Sequence, residues 1–81
     1  MNILEELEKV VQLGKEISNS KGKDVFLYHL REMRSTRFDK EKFELLLIKY
    51  NLLKKEHLEV LNLLEKREVL DLLITSILHP S

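Results

Sequence analysis

Every third residue from Arg31 to Lys40 is basic: Arg31, Arg34, Arg37 and Lys40, with Lys42 close behind. Guanidinium forks suit phosphates and carboxylates, because their planar N–H pairs meet two oxygens at once. A helix running through these residues would line them along one face; a helix that breaks at Ser35 would crowd them into a corner. They are the candidate contacts for an anionic partner. Competing readings are a solvated face, or charge complementarity within the molecule or between subunits. Glu32, Asp39 and Glu41 lie among the basic residues and weaken the nucleic-acid version.

Other chemistry finds little support. His29, His57 and His79 are too far apart for a local ligand pair, and no His-Glu-x-x-His pattern occurs. Glu56-His57 and Glu59 could meet a metal only by chance, and His57 reads as a surface residue between glutamates. Gly22-Lys23 lacks the upstream glycine and the hydroxyl of a phosphate loop, and a helix rather than a strand precedes it. Serines 18, 20, 35, 76 and 81 fall outside any Gly-x-Ser-x-Gly turn. A packed helical chain this short has little room for a pocket of roughly 300 Å³ or more. The expectation is a protein with no catalytic residue, cofactor, metal or small-molecule substrate.

The elements that must position these residues are helical. Asn2 with Glu5 has the form of a capping box. After it, Ile3, Leu4, Leu7, Val10, Val11, Leu13 and Ile17 share one broad face, with Gly14 inside it and Glu5, Glu8, Lys9, Gln12 and Glu16 opposite. Gly14 then marks either a close approach to another helix or a weak point. Ser18 to Lys23 form the clearest break, with Gly22 suited to a left-handed turn end. Asp24 is the expected cap of a second helix carrying Phe26, Leu30 and Met33. Val25 to Tyr28 has strand propensity too, but shows no alternation of period two. Asp39 caps a third helix, with Phe38 and Phe43 spaced as a hydrophobic staple. Asn51 either ends that helix or is read through.

From residue 52 to 79 a last helix is expected; Glu65-Lys66-Arg67-Glu68 interrupts its apolar phase, so it either changes its packing partner or bends near 65–68. Its C-terminal part is apolar over about 240° of the wheel, against the stripe of roughly 100° that a surface helix needs. So wide an arc must be covered. A shared helix across a dimer is preferred, with Val69, Leu70, Leu73, Ile74 and Ile77 as candidate interface; the alternative is a central helix within one chain.

Composition agrees. The chain has 81 residues, 18 of them leucine, with no alanine, tryptophan or cysteine. That is a helix-forming vocabulary with no means of disulfide stapling. The 14 basic and 14 acidic residues cancel, but unevenly: residues 24–55 carry 8 basic and 5 acidic, and 56–81 carry 2 and 5. The N-terminus has no signal-peptide pattern and the longest apolar run, Leu45 to Ile48, is far short of the roughly 20 residues of a membrane span. The expectation is a cytoplasmic, all-α, single-domain bundle of three to four antiparallel helices (about 2–18, 24–34, 39–50 and 52–79), assembled as a homodimer. Its expected role is a small adaptor, inhibitor or regulator that binds another protein through apolar helix surface. The alternative is a nucleic-acid-binding regulator with a helix-turn-helix from the third segment onward.

Overall fold

The computed structural model describes residues 2–80. Asn2 begins α1 (Ile3–Ser18): its Oδ1 accepts the Leu4 backbone N–H at 2.9 Å, taking up a donor that a helix start leaves open. Val10, Leu13, Gly14 and Ile17 are buried, while Ile3, Leu4 and Val11 stay exposed, so the buried stripe is narrower than the apolar one.

The second helix, α2 (Lys23–Ser35), starts differently from expectation. Gly22, not Asp24, is its N-cap, and its φ of −88° is not left-handed. Glycine is required there by space: a Cβ would stand 2.6 Å from the Tyr50 ring. Asp24 sits in the first turn, where a carboxylate faces the positive helix end. Residues 25–28 are helical, and Phe26, Leu27, Leu30 and Met33 are buried.

The third helix, α3 (Lys40–Lys49), has the expected boundaries. Asp39 accepts the Lys42 N–H at 3.1 Å, and the Phe38 and Phe43 rings pack at 5.6 Å. At the other end Asn51 takes φ +58°. Leu52 N–H then donates to Leu47 O at 2.7 Å and Asn51 N–H to Ile48 O at 3.0 Å, the paired bonds of a Schellman close. Asp39→Ala should cost about 1 kcal/mol, the usual worth of such a cap, and lower the melting temperature by about 4–8 °C for a domain this size. Thermal unfolding followed by circular dichroism checks it.

Residues 52–79 are not one helix. They form α4 (Lys55–Leu58), a 3-10 helix (Leu61–Glu65) and α5 (Arg67–Leu78). Lys66, with φ −78° and ψ 127°, makes the anticipated bend a complete break. The drift in apolar phase has its cause here, since the two stripes belong to separate elements. In the 3-10 turn residues three apart align, and Leu61 and Leu64 are both fully buried.

The chain covers α5 itself. This helix packs most extensively on α1, and also on α2 and the 3-10 helix. Val69, Leu70, Leu73, Ile74 and Ile77 are each no more than 8% exposed and belong to the single core. The candidate interface is therefore interior, and the wide apolar arc gives no reason for a second chain. The chain is compact: its radius of gyration is 11.2 Å, against about 11.7 Å for a domain of this length. Its accessible surface of 5326 Å² is close to the roughly 5,100 Å² of a compactly folded chain of this mass. Of the described residues, those in α-helix span five segments, and no strand is present among them.

Candidate functional site

Three regions gather polar or apolar side chains beyond the needs of the core.

The basic residues form a corner, because α2 ends at Ser35. Arg34 is taken up internally: its Nε and Nη2 reach the two oxygens of Asp71 on α5, and its carbonyl accepts from Arg67 Nη2 at 2.8 Å. Lys40 Nζ donates to Asn62 Oδ1 at 3.2 Å. The basic middle thus docks partly on the acidic end of the same chain. Arg31, Arg37 and Lys42 are exposed and make no side-chain ion pair among the described residues. Arg34, Arg37 and Arg67 line an open groove of about 440 Å³ with Phe38 and Glu65, and a neighbouring groove of about 720 Å³ carries Arg37, Lys40 and Lys42. These spaces exceed what so short a chain was expected to offer, because they lie at junctions between elements and not inside the core. The helix-turn-helix expectation fails on length. After α3 the chain forms a four-residue helix and a 3-10 turn, too short to lie along a major groove.

The outer side of α3 carries two apolar side chains among charged ones. The run Leu45-Leu46-Leu47-Ile48 divides in two: Leu46 and Leu47 are buried, Leu45 is 65% and Ile48 56% exposed. Three residues apart on a helix, they form one patch. Leu53, just beyond the helix end, is exposed as well. Lys42 and Lys49 stand at i−3 and i+4 from Leu45, next to the patch. Exposed apolar side chains lie on α3 and at the start of α1, where Ile3 and Leu4 are open to solvent, more than on α5. For α3 the signal was present as four consecutive apolar residues, since a helix cannot bury all of them on one side.

The third region joins α1 and α4. His57 is 2% exposed, not the surface residue its glutamate neighbours suggested. Its Nε2 lies 3.5 Å from Glu16 Oε1, and its Nδ1 has no hydrogen-bond partner of ordinary geometry among the described residues. Lys54 Nζ is 3.3 Å from the same Glu16 oxygen, while Gln12 Nε2 donates to Glu16 Oε2 at 3.4 Å. Burial holds the His57 imidazole below its usual pKa; Glu16 and Glu56 pull it back up and Lys54 pushes it further down. Nearby, Lys9 Nζ bonds Glu59 at 2.6 Å and holds that carboxyl below its ordinary range, pinning α4 to α1. The helical wheel puts Glu16 on a solvated face. Only the break that turns α4 back along α1 covers it, and no local pattern announces that contact.

Among the remaining polar groups, His29 Nδ1 is 3.6 Å from Glu32 on the same helix, and His79 ends α5 in an exposed position. Ser20, Ser35 and Ser76 hydroxyls bond main-chain carbonyls and so are structural. Ser81 lies outside the described residues. No helix among the described residues is long and apolar enough to cross a membrane. Comparison with known protein families, curated proteins and solved structures finds no match to this chain.

Proposed function

We propose that this protein is a small non-enzymatic helical binding protein, an adaptor, inhibitor or regulator, that docks another protein on the outer face of α3. The observation that carries the reading is the exposed pair Leu45 and Ile48 on a helix whose inner face is already buried. Burying two such side chains is worth about 1.5–3 kcal/mol each, enough to make them the anchors of an interface. Lys42 and Lys49 on one side of the patch and Glu41 and Glu44 on the other favour a partner with an amphipathic helix, apolar on its docking side and carrying charges of both signs at its margins. A second copy of this chain would meet on the same face.

A second reading rests on the groove lined by Arg34, Arg37 and Arg67. Guanidinium groups converging on one opening suit a phosphate-bearing partner, nucleic acid included. Arg34 is already held by Asp71, which leaves Arg37 and Arg67 as its main donors.

One experiment separates the two. Immobilised wild-type protein, Leu45→Glu/Ile48→Glu and Arg37→Glu/Arg67→Glu are compared for retention of bound macromolecules across a salt series. All four positions are exposed, so both variants should keep the wild-type circular dichroism. The α3 variant should lose its protein partner at least tenfold in affinity at every salt concentration. Retention that survives in the α3 variant, disappears in the arginine variant and falls steeply with salt would replace the first reading with the second.

A further inference from the structure

We propose that Glu16, Glu56 and His57 form a binding site for a divalent transition-metal ion of the zinc class, bridging α1 and α4. One ligand atom from each residue lies within 4.8 Å of the other two. Metal–ligand bonds of about 2.0–2.1 Å in a tetrahedron put neighbouring ligand atoms about 3.4 Å apart. His57 Nε2 and Glu16 Oε1 are 3.5 Å apart, close to that spacing and too long for a strong hydrogen bond.

The second observation is independent of the clustering of acids. His57 is almost wholly buried and holds Nε2 toward Glu16 Oε1 at 3.5 Å without a hydrogen bond, and Glu16 Oε1 is a buried carboxylate oxygen that also makes none, though Lys54 Nζ stands 3.3 Å away. Buried polar atoms are rarely left so, because each costs about 1–3 kcal/mol, and more when charged. A cation between Nε2 and Oε1 would engage the two lone pairs that face each other there. Gln12 bonds the other Glu16 oxygen and turns Oε1 toward His57, the work of an outer-shell partner.

Glu56 completes the set from the exposed side, next to an open groove lined by Glu5, Glu8, Lys9, Gln12, Glu56 and His57. The groove gives an ion a path in and leaves room for water at the remaining position. Glu5 and Glu8 add negative potential at its mouth. One imidazole with two carboxylates suits zinc, cobalt or nickel better than calcium or magnesium, which prefer all-oxygen shells. Lys54 is the competitor. Its ammonium stands 3.3 Å from Glu16 Oε1, and with 55% of its side chain exposed it is free to swing into solvent.

The test is calorimetric titration of chelator-treated protein with Zn²⁺, repeated with Co²⁺ while watching the visible absorption of low-coordinate cobalt. Wild type should take up one equivalent. Glu56→Gln, at an exposed position that leaves the fold intact, should bind at least about tenfold more weakly, the loss that even an outer-shell change produces. Lys54→Ala should bind more tightly than wild type. His57→Gln should abolish uptake, and any failure of that variant to fold leaves the Glu56 comparison standing. No uptake by wild type at a hundredfold excess of ion, or equal binding by wild type and Glu56→Gln, would overturn the site.

Discussion

Leu73→Glu should leave the chain without a stable fold at neutral pH. Leu73 is fully buried in the apolar core, on the helix that α1, α2 and the 3-10 turn enclose. A glutamate there must either stay charged in an apolar setting or take up a proton. Buried glutamates reach pKa values of about 8–9, so at pH 7 the side chain must take up a proton about 2.7 units above its ordinary value, which costs about 4 kcal/mol at 1.36 kcal/mol per unit. Losing the leucine's own burial adds about 2 kcal/mol. The whole stability of a chain this long is about 4–12 kcal/mol. Far-ultraviolet circular dichroism should therefore show loss of helix. The same substitution at an interface between two copies would give a folded species of half the mass. Light scattering that finds a folded, smaller particle would restore α5 as a subunit contact.

Gly14→Ala should be the most damaging small substitution in the molecule. A Cβ at position 14 would lie 2.4 Å from Ser76 Cβ, and 3.1 and 3.3 Å from the Ser76 and Ile77 backbone. Main chain cannot swing aside as a flexible side chain does, so α1 and α5 must separate. Overpacking of this kind costs about 1–3 kcal/mol, sometimes more. Alanine returns about 1 kcal/mol in helix propensity, and with the backbone involved the clash outweighs it. The net loss should be about 2 kcal/mol, or roughly 8–16 °C in melting temperature. Because the shortest contact is to the Ser76 side chain, Gly14→Ala/Ser76→Gly should recover part of it. The double-mutant cycle would then show a coupling of about 1 kcal/mol or more. Purely additive effects would mean that the two helices do not cross at this point.

What could be read from the chain divides along physical lines. The caps and closures were legible because they are made by residues within a few positions of one another: Asn2, the Asp39 cap with its Phe38–Phe43 staple, and the left-handed Asn51. All-helical structure is implied by propensity and period. The course of residues 52–79 was half legible. The apolar phase shift marked the break at Lys66, but nothing local shows that residues 59–66 give up α-helical bonding for a 3-10 turn. Burial was the least legible. The width of its apolar arc shows that α5 needs cover on nearly all sides, yet that cover comes from α1, about sixty positions away. The same long-range packing hid His57 and Glu16, whose neighbours in sequence are charged and whose neighbours in space are each other. Arg34 and Asp71 make the converse case. The opposite charges of the middle and the end were visible in the sequence, and part of that complementarity is spent within one chain.

The contact between Gly14 and Ser76 also sets the order in which the chain can acquire structure. Sixty-two residues separate the two sides of this crossing, so every fragment ending before α5 lacks the surface on which the rest condenses. Closing so long a loop carries its entropy cost before any packing repays it. During synthesis at roughly 5–20 residues per second, Gly14 waits about 3–12 s for Ser76 to be made. Throughout that interval α1, the aromatic side chains of α2 and the leucines of α3 are on offer to the ribosome surface and to chaperones. The bundle is thus a fold that forms late and all at once. Its vulnerability to aggregation should lie in the nascent chain, before residue 77 has left the exit tunnel.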